Sequence, residues 1–320
     1  MLNKISDALT QTLFTILVLY LTFLLLRYPA QSLQYASTGL LLWFQRMIPT
    51  LLPFMILSGI MVRMNLTERF AKWFHPFFHC LWGTSLNGSY ALLMGMLCGF
   101  PMGARVIGEL LHAQKLSEKE ASYLLAFCNN IGPIYFISFV MSTLSIENNY
   151  IPFLIMYGVP LLYGFFLYRF HYKSTLYKST ANITLQAASI LPNKASSLLT
   201  AIDDSVISGL IGIGKLGGYM VFFNLLNIML YPFAALPKSI LGFCNCMLEI
   251  TSGISLIGKE GFFMILILLP FGGFSCMAQT YSMIKETNLS ISHYFLHKCS
   301  QTALTALIYI FYVVFYAYTL

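Results

Sequence analysis

Apolar residues are gathered into runs long enough to cross a bilayer, and most charged residues fall between them. A helix needs about 20 residues to cross roughly 30 Å of hydrocarbon, and Leu9 to Leu26 is the first such run. It follows a lone Lys4 and no small-residue cleavage site comes after it, so a retained anchor is expected rather than a removable leader. Thr38 to Val62 is the second run, kinked where Pro49 and Pro53 each lack a backbone donor. From Arg63 to Trp82, Arg63, Arg69 and Lys72 alternate with aromatics, a pattern that suits a surface-lying amphipathic segment. Tyr90 to Leu111 is apolar but broken by Gly99, Phe100, Pro101, Met102 and Gly103. Phe127 to Leu144 is broken near its start by Asn129, Asn130, Gly132 and Pro133, and Ile151 to Phe170 is unbroken.

The segment from His171 to Asp204 turns polar and divides the chain. Beyond it, Val206 to Leu230 is a glycine-rich span and Leu241 to Ile257 is apolar except for Asn245, Glu249 and Thr251. Phe262 to Ile284 is broken at Phe271, Gly272 and Gly273, and Ala303 to Tyr318 closes the chain. The expected organisation is an N-terminal transmembrane anchor (1–36), a first repeat (37–170), a polar cytoplasmic linker (171–204) and a second repeat (205–320). Sliding the halves by 173 residues sets Gly99 on Gly272 and Leu116-Ser117 on Leu289-Ser290, which is a weak internal repeat.

Composition agrees with the pattern. Only 9% of the 320 residues are charged, against roughly 25% in soluble domains, and 58% are hydrophobic with a mean hydropathy of +0.74. This excludes a soluble enzyme, and the net charge of +7 fits loops facing anionic lipid better than a nucleic-acid surface. The fold class is an all-α polytopic membrane protein with membrane lipid as its first partner. If the Tyr90 to Leu111 run is a re-entrant hairpin, then Arg63, Arg69, Lys72, Lys115, Lys119, Arg169, Lys173, Lys178 and Lys194 share one side, with Glu147 opposite. The positive-inside rule then favours the hairpin and sets the amino terminus and linker in the cytoplasm. The seven cysteines imply no disulfide framework, because six of them lie in or beside apolar runs.

Broken helices at membrane depth leave backbone groups that protein or a water-filled cavity must satisfy. Paired breaks in two halves point to a binding site, although Gly95, Gly99 and Gly103, like Gly214 and Gly218, also suit close helix packing. Glu249 inside an apolar stretch costs roughly 2.5 to 3.5 kcal/mol if ionised, so it needs a partner, a proton or a ligand. Asn129, Asn130, Thr251, Ser275 and Gln279 add amides and hydroxyls, and with Glu249 they form the candidate substrate-binding set. Gly99, Pro101, Gly103, Gly272 and Gly273 are the candidate hairpin-tip backbone. Arg105 and Glu109 have the spacing of an intrahelical pair, and Lys215 that of a snorkelling cation. Gly209 to Lys215 imitates a phosphate loop, but Leu216 stands where Ser or Thr would hold magnesium. His75, His79 and Cys80 have metal-like spacing, interrupted by Pro76 and set among aromatics. No catalytic set, metal site or cofactor is expected.

Four separated blocks carry a family resemblance. The run Gly99-Phe100-Pro101-Met102-Gly103-Ala104, then Leu116-Ser117 before Glu118 and Glu120, then Asn129-Asn130 and Pro133, resembles the first half of the sporulation integral membrane proteins of the YlbJ type, within the nucleoside-recognition (Gate) superfamily. Leu248-Glu249-Ile250-Thr251 with Gly253, and Phe271 to Ser275 with Gln279, resemble its second half, and Gly217-Gly218 its preceding helix. Phe100 stands where Tyr is usual, and Met277 where a more polar residue is expected. The resemblance implies two inverted-topology repeats with re-entrant helical hairpins, as in concentrative nucleoside transporters and ferrous-iron transporter B, and a role in endospore formation. Three functions follow: a permease for a small polar solute, a non-transporting scaffold for spore envelope, cortex or coat assembly, and, least supported by the donor set, a metal permease. A homo-oligomer or other sporulation membrane proteins are the protein partners it implies.

Overall fold

The computed structural model describes residues 2–146, 149–173 and 197–319; Glu147, Lys178, Lys194 and most of the polar linker lie outside the described residues. All regular elements among the described residues are helical. In the first half these are α1 (Leu2–Arg27), α2 (Pro29–Arg63), α3 (Thr67–Ala71), α4 (His75–Trp82), α5 (Leu86–Cys98), α6 (Met102–His112), α7 (Glu118–Cys128), α8 (residues 133–144) and α9 (Ile151–Tyr172). The second half has α10 (Leu198–Leu226), α11 (Lys238–Leu248), α12 (Ile250–Ile257), α13 (Phe262–Leu268), α14 (Gly273–Ile284) and α15 (Ile291–Thr319). Among the described residues, six helical stretches are long and apolar enough to cross a membrane: Thr10–Arg27, Pro29–Arg63, Glu118–Leu144, Ile151–Tyr172, Leu198–Phe233 and Ile250–Leu268. Large apolar side chains such as Phe14, Leu26, Leu210, Ile211 and Phe311 are exposed on the outside, a surface suited to contact with lipid. The protein is an all-α polytopic membrane protein.

The long helices α2 and α10 pack side by side. Gly39 permits this, because a Cβ there would lie 2.9 Å from the Met220 carbonyl oxygen. Trp43 donates its indole N–H to the Ile213 carbonyl at 2.8 Å. A widened turn at Trp43–Met47 stands just before Pro49 and Pro53 and absorbs the bond geometry that the two prolines disturb.

Two helix pairs turn back on themselves. α5 and α6 pack against each other across Gly99-Phe100-Pro101, and α11 and α12 do the same across Glu249. In the second pair a Cβ on Gly253 would lie 2.5 to 2.7 Å from Cys246, and one on Gly242 would collide with Ile257, contacts that only antiparallel arms make. The Leu241 to Ile257 run is therefore a hairpin rather than a span, with Glu249 at its tip. Sequence alone could not separate the two, since Glu249 has no glycine or proline beside it. The two arms enter and leave on one side, where exposed Lys238 lies 3.7 Å from Glu260.

Each hairpin is followed by a helix broken partway: α7 and α8 are parted by residues 129–132, and α13 and α14 by residues 269–272. The arms α13 and α14 do not pack side by side, so Gly272 and Gly273 mark a broken helix and not a second hairpin tip. This revises the offset of 173 residues. Gly99-Pro101 corresponds in role to Glu249, and residues 129–132 to 269–272. The Leu-Ser match does hold locally, because Ser117 caps α7 by accepting from the Glu120 N–H at 3.2 Å and Ser290 accepts from the His293 N–H at 3.3 Å.

Candidate functional site

The first hairpin turns through Gly99 in the left-handed region, at φ +86°, and a cis Phe100–Pro101 peptide bond. Gly103, in the first turn of α6, packs against Asn129. A Cβ on Gly99 would run into Gly132, so this tip rests directly on the first broken helix. The second tip repeats the arrangement, since a Cβ on Gly273, at φ +83°, would lie 2.9 Å from the Cys246 carbonyl oxygen and 3.3 Å from the Ile250 nitrogen. Gly272 meets the Phe100 ring. Two tips and two breaks therefore converge on one region.

Glu249 closes the second tip in extended conformation and acts as the N-cap of α12. Its carboxylate accepts from the Thr251 N–H at 3.2 Å and the Ser252 N–H at 2.7 Å, and only 2% of the residue is exposed. The free N–H groups and partial positive charge of a helix start are what allow a carboxylate to be buried here. Neither Lys215 nor Arg105 pairs with it. Arg105 instead bonds Glu109 at 2.8 Å and the Ser208 hydroxyl at 2.9 Å, the intrahelical pair that its spacing suggested, and Lys215 is exposed on the outer face of α10.

Between the tips lies a cavity of about 70 Å³, room for several waters at roughly 10–15 Å³ each. Its polar lining is Glu249, Thr251, Gln279, Tyr135 and Thr50, and the remainder includes Phe54, Cys98, Phe100, Ile131, Gly132 and Cys276. Tyr135, just past the first break, donates its hydroxyl to the Thr251 hydroxyl at 3.0 Å and so ties the first broken helix to the second tip. Gln279 donates to the Ser275 hydroxyl at 3.0 Å, so Ser275 supports the cavity wall without forming it.

Asn129 and Asn130 do not line the cavity. Asn129 donates to the hydroxyls of Thr280 and Tyr294, both at 3.0 Å, and takes the Ala104 N–H at 3.4 Å. Asn130 donates to the Phe127 carbonyl at 2.6 Å. Their amides knit α6, the first break, α14 and α15 together. Of the six expected binding residues, Glu249, Thr251 and Gln279 share the cavity, while Asn129, Asn130 and Ser275 stand behind it.

The sequence reading missed Tyr135 and Thr50 on the cavity wall and, behind it, Lys298. Lys298 is fully buried, with Nζ 2.6 Å from Asn130 Oδ1 and 3.2 Å from Gln301 Oε1, and it lies over the rings of Phe100 at 5.1 Å and Tyr294 at 5.6 Å from their centroids. No carboxylate pairs with it among the described residues. The signal was present as Tyr294, Lys298, Gln301 and Thr305, polar positions four, three and four apart on one buried face of α15. The His75 imidazole packs on the His79 ring and bonds the Ser89 hydroxyl at 3.0 Å, while His79 bonds the Thr84 carbonyl at 2.9 Å.

No family model matches the chain, and no solved structure matches it. Among curated proteins it is similar to the sporulation integral membrane protein YlbJ of Bacillus subtilis (strain 168), 24% identical over 340 aligned residues that cover 94% of this chain and 81% of that protein. The resemblance to YlbJ-type sporulation integral membrane proteins, read from four separated blocks of motif, therefore extends along nearly the whole chain.

Proposed function

We propose that this protein is a transporter-like permease of the Gate type that acts in endospore formation and moves a small polar solute through the cavity between its two hairpin tips. The observation that carries the reading is convergence: two tips, the first helix break and the polar side chains of Glu249, Thr251 and Gln279 meet at one cavity, and the second break packs against both tips beside it. In this reading the hairpins are re-entrant, the two halves are inverted repeats, and the amino terminus is cytoplasmic, as the bias of Arg and Lys suggests. The Glu249 charge is spent on the start of α12, whereas Lys298 faces only partial negative charges. Glu249 and Lys298 carry opposite formal charges, Lys298 lies behind the cavity wall, and the wall itself offers a carboxylate, an amide and hydroxyls, a lining that suits a small polar solute. The sporulation role rests on the relative's name and on the shared blocks.

Cys98 and Cys276 line the cavity and supply the test. In liposomes holding the purified protein, small labelled polar solutes should enter, and a solute that enters should shield Cys276 from a small methanethiosulfonate. Uptake should fall at least about tenfold in Gln279→Ala and Thr251→Ala variants that keep wild-type thermal stability, about 1.4 kcal/mol of lost interaction. Cavity variants with unchanged uptake and unchanged spore yield would refute the permease. Spore defects mapping only to exposed loops would instead favour the scaffold.

A further inference from the structure

A buried lysine without a carboxylate partner is an expensive feature, and the surroundings of Lys298 explain how it is held. Its two amide partners cannot turn away. Asn130 spends its NH2 on the Phe127 carbonyl and Gln301 spends its NH2 on the Ala126 carbonyl, each at 2.6 Å, so both side-chain oxygens must face Nζ. Ala126 and Phe127 belong to the last turn of α7, where carbonyls have no helical partner and carry partial negative charge. Two ring faces, Phe100 and Tyr294, complete the shell. Carbonyl-type oxygens and π faces in place of water are the means by which a protein strips and holds a monovalent cation. The parts come from the first hairpin tip (Phe100), the first break (Asn130) and α15 (Tyr294, Gln301).

We infer that the Lys298 ammonium is a resident cation, filling on a tether a monovalent-cation site between the first hairpin tip, the first broken helix and α15, so that no inorganic cation is bound there during the working cycle. The statement about the cycle rests on the permease reading; the occupied cage does not. A resident cation fixes the tip against the broken helix permanently, where an exchangeable ion would let the contact form and dissolve with ion binding.

Thermal unfolding of the detergent-purified full-length protein tests this without any transport assay. Melting is followed in sodium, methylammonium and choline chloride at equal ionic strength. Wild type should melt at the same temperature in all three, because its cage is full. Lys298→Ala, which empties the cage, should melt at least about 5 °C lower in choline and recover more than half of that loss in methylammonium. Lys298→Met, which fills the space without charge, should melt below wild type and respond to none of the salts. The inference is overturned if wild type is specifically stabilised by sodium, if Lys298→Met melts with wild type, or if Lys298→Ala shows no preference among the cations. The wild-type comparison decides even where a variant fails to fold. A cage that passes this test beside liposomes that take up no solute would leave the resident cation standing and remove the permease.

Discussion

Replacing Glu249 separates its structural work from any work on a solute. The carboxylate takes two backbone N–H groups of α12, at 3.2 and 2.7 Å, in a position that is 2% exposed. A hydrogen bond to a charged group is worth about 1.5–3 kcal/mol, and a negative charge at a helix start adds up to about 2 kcal/mol when partly buried. Glu249→Ala loses both bonds and the charge and should cost about 4 kcal/mol, at the upper end for lost caps and buried acceptors. Glu249→Gln keeps one acceptor oxygen but turns an NH2 toward a backbone donor, for a cost of about 2 kcal/mol. Aspartate is a favoured N-cap, so Glu249→Asp should stay within about 1 kcal/mol of wild type. The order Asp, Gln, Ala should appear as falling melting temperatures in detergent, with about 2–4 °C per kcal/mol for a chain of this size. An alanine variant as stable as wild type, or an aspartate variant as weak as alanine, would refute the capping role. If Glu249→Asp keeps stability but loses solute uptake, the carboxylate position matters to the cavity as well as to the helix.

Two further substitutions on α10 and one histidine give independent checks. Gly212 faces the Arg105 guanidinium closely enough that a Cβ would collide with it, while Gly214, two residues on, has nothing within 4 Å. Gly212→Ala should therefore open the Arg105 to Ser208 contact between α6 and α10 and cost about 1–3 kcal/mol as an overpacking change. Gly214→Ala should be neutral or stabilising by up to about 1 kcal/mol through helix propensity, and equal melting temperatures for the two variants would contradict the contact. His75, on the surface-lying α4, is held below its usual 6.5 by burial first and by the neighbouring His79 second. The folded state then binds fewer protons than the unfolded chain just below pH 6.5, so this group's contribution to stability rises with pH through that window and is lost on acidification. A His75→Gln variant should show a flatter fall in melting temperature between pH 7.5 and 5, and an unchanged slope would rule His75 out as its source.

Most of the membrane architecture was legible because it depends on local chemistry. Apolar length marks a span, and glycine or proline marks a break, so the interruptions at Gly99-Pro101, Asn129-Pro133 and Phe271-Gly273 are all real breaks. What a break does next depends on what packs beside it, and that is not a local property. Gly99 and Gly272 both carry positive φ, yet one chain folds back and the other runs on. The tip at Glu249 was hidden for the opposite reason, because its turn uses a carboxylate to supply the cap that glycine and proline usually announce.

The polar residues divide along the same line. Glu249, Thr251 and Gln279 stood out because they fall within long apolar runs, and the fold brings all three to one cavity. Lys298 escaped because His297, Ser300 and Gln301 surround it with polar neighbours, which in a membrane chain suggests a helix end near water. Only the period of the pattern separates the cases: Tyr294, Lys298, Gln301 and Thr305 recur on one helical face and all are buried, whereas Lys215 stands on an exposed face of α10. A charge in a polar stretch is thus a solvated end when its polar neighbours circle the helix, and part of a buried network when they stay on one side. By that criterion the first broken helix, α15 and the first hairpin tip form a single polar unit around Lys298, and the cavity lies against this unit through the Phe100 ring.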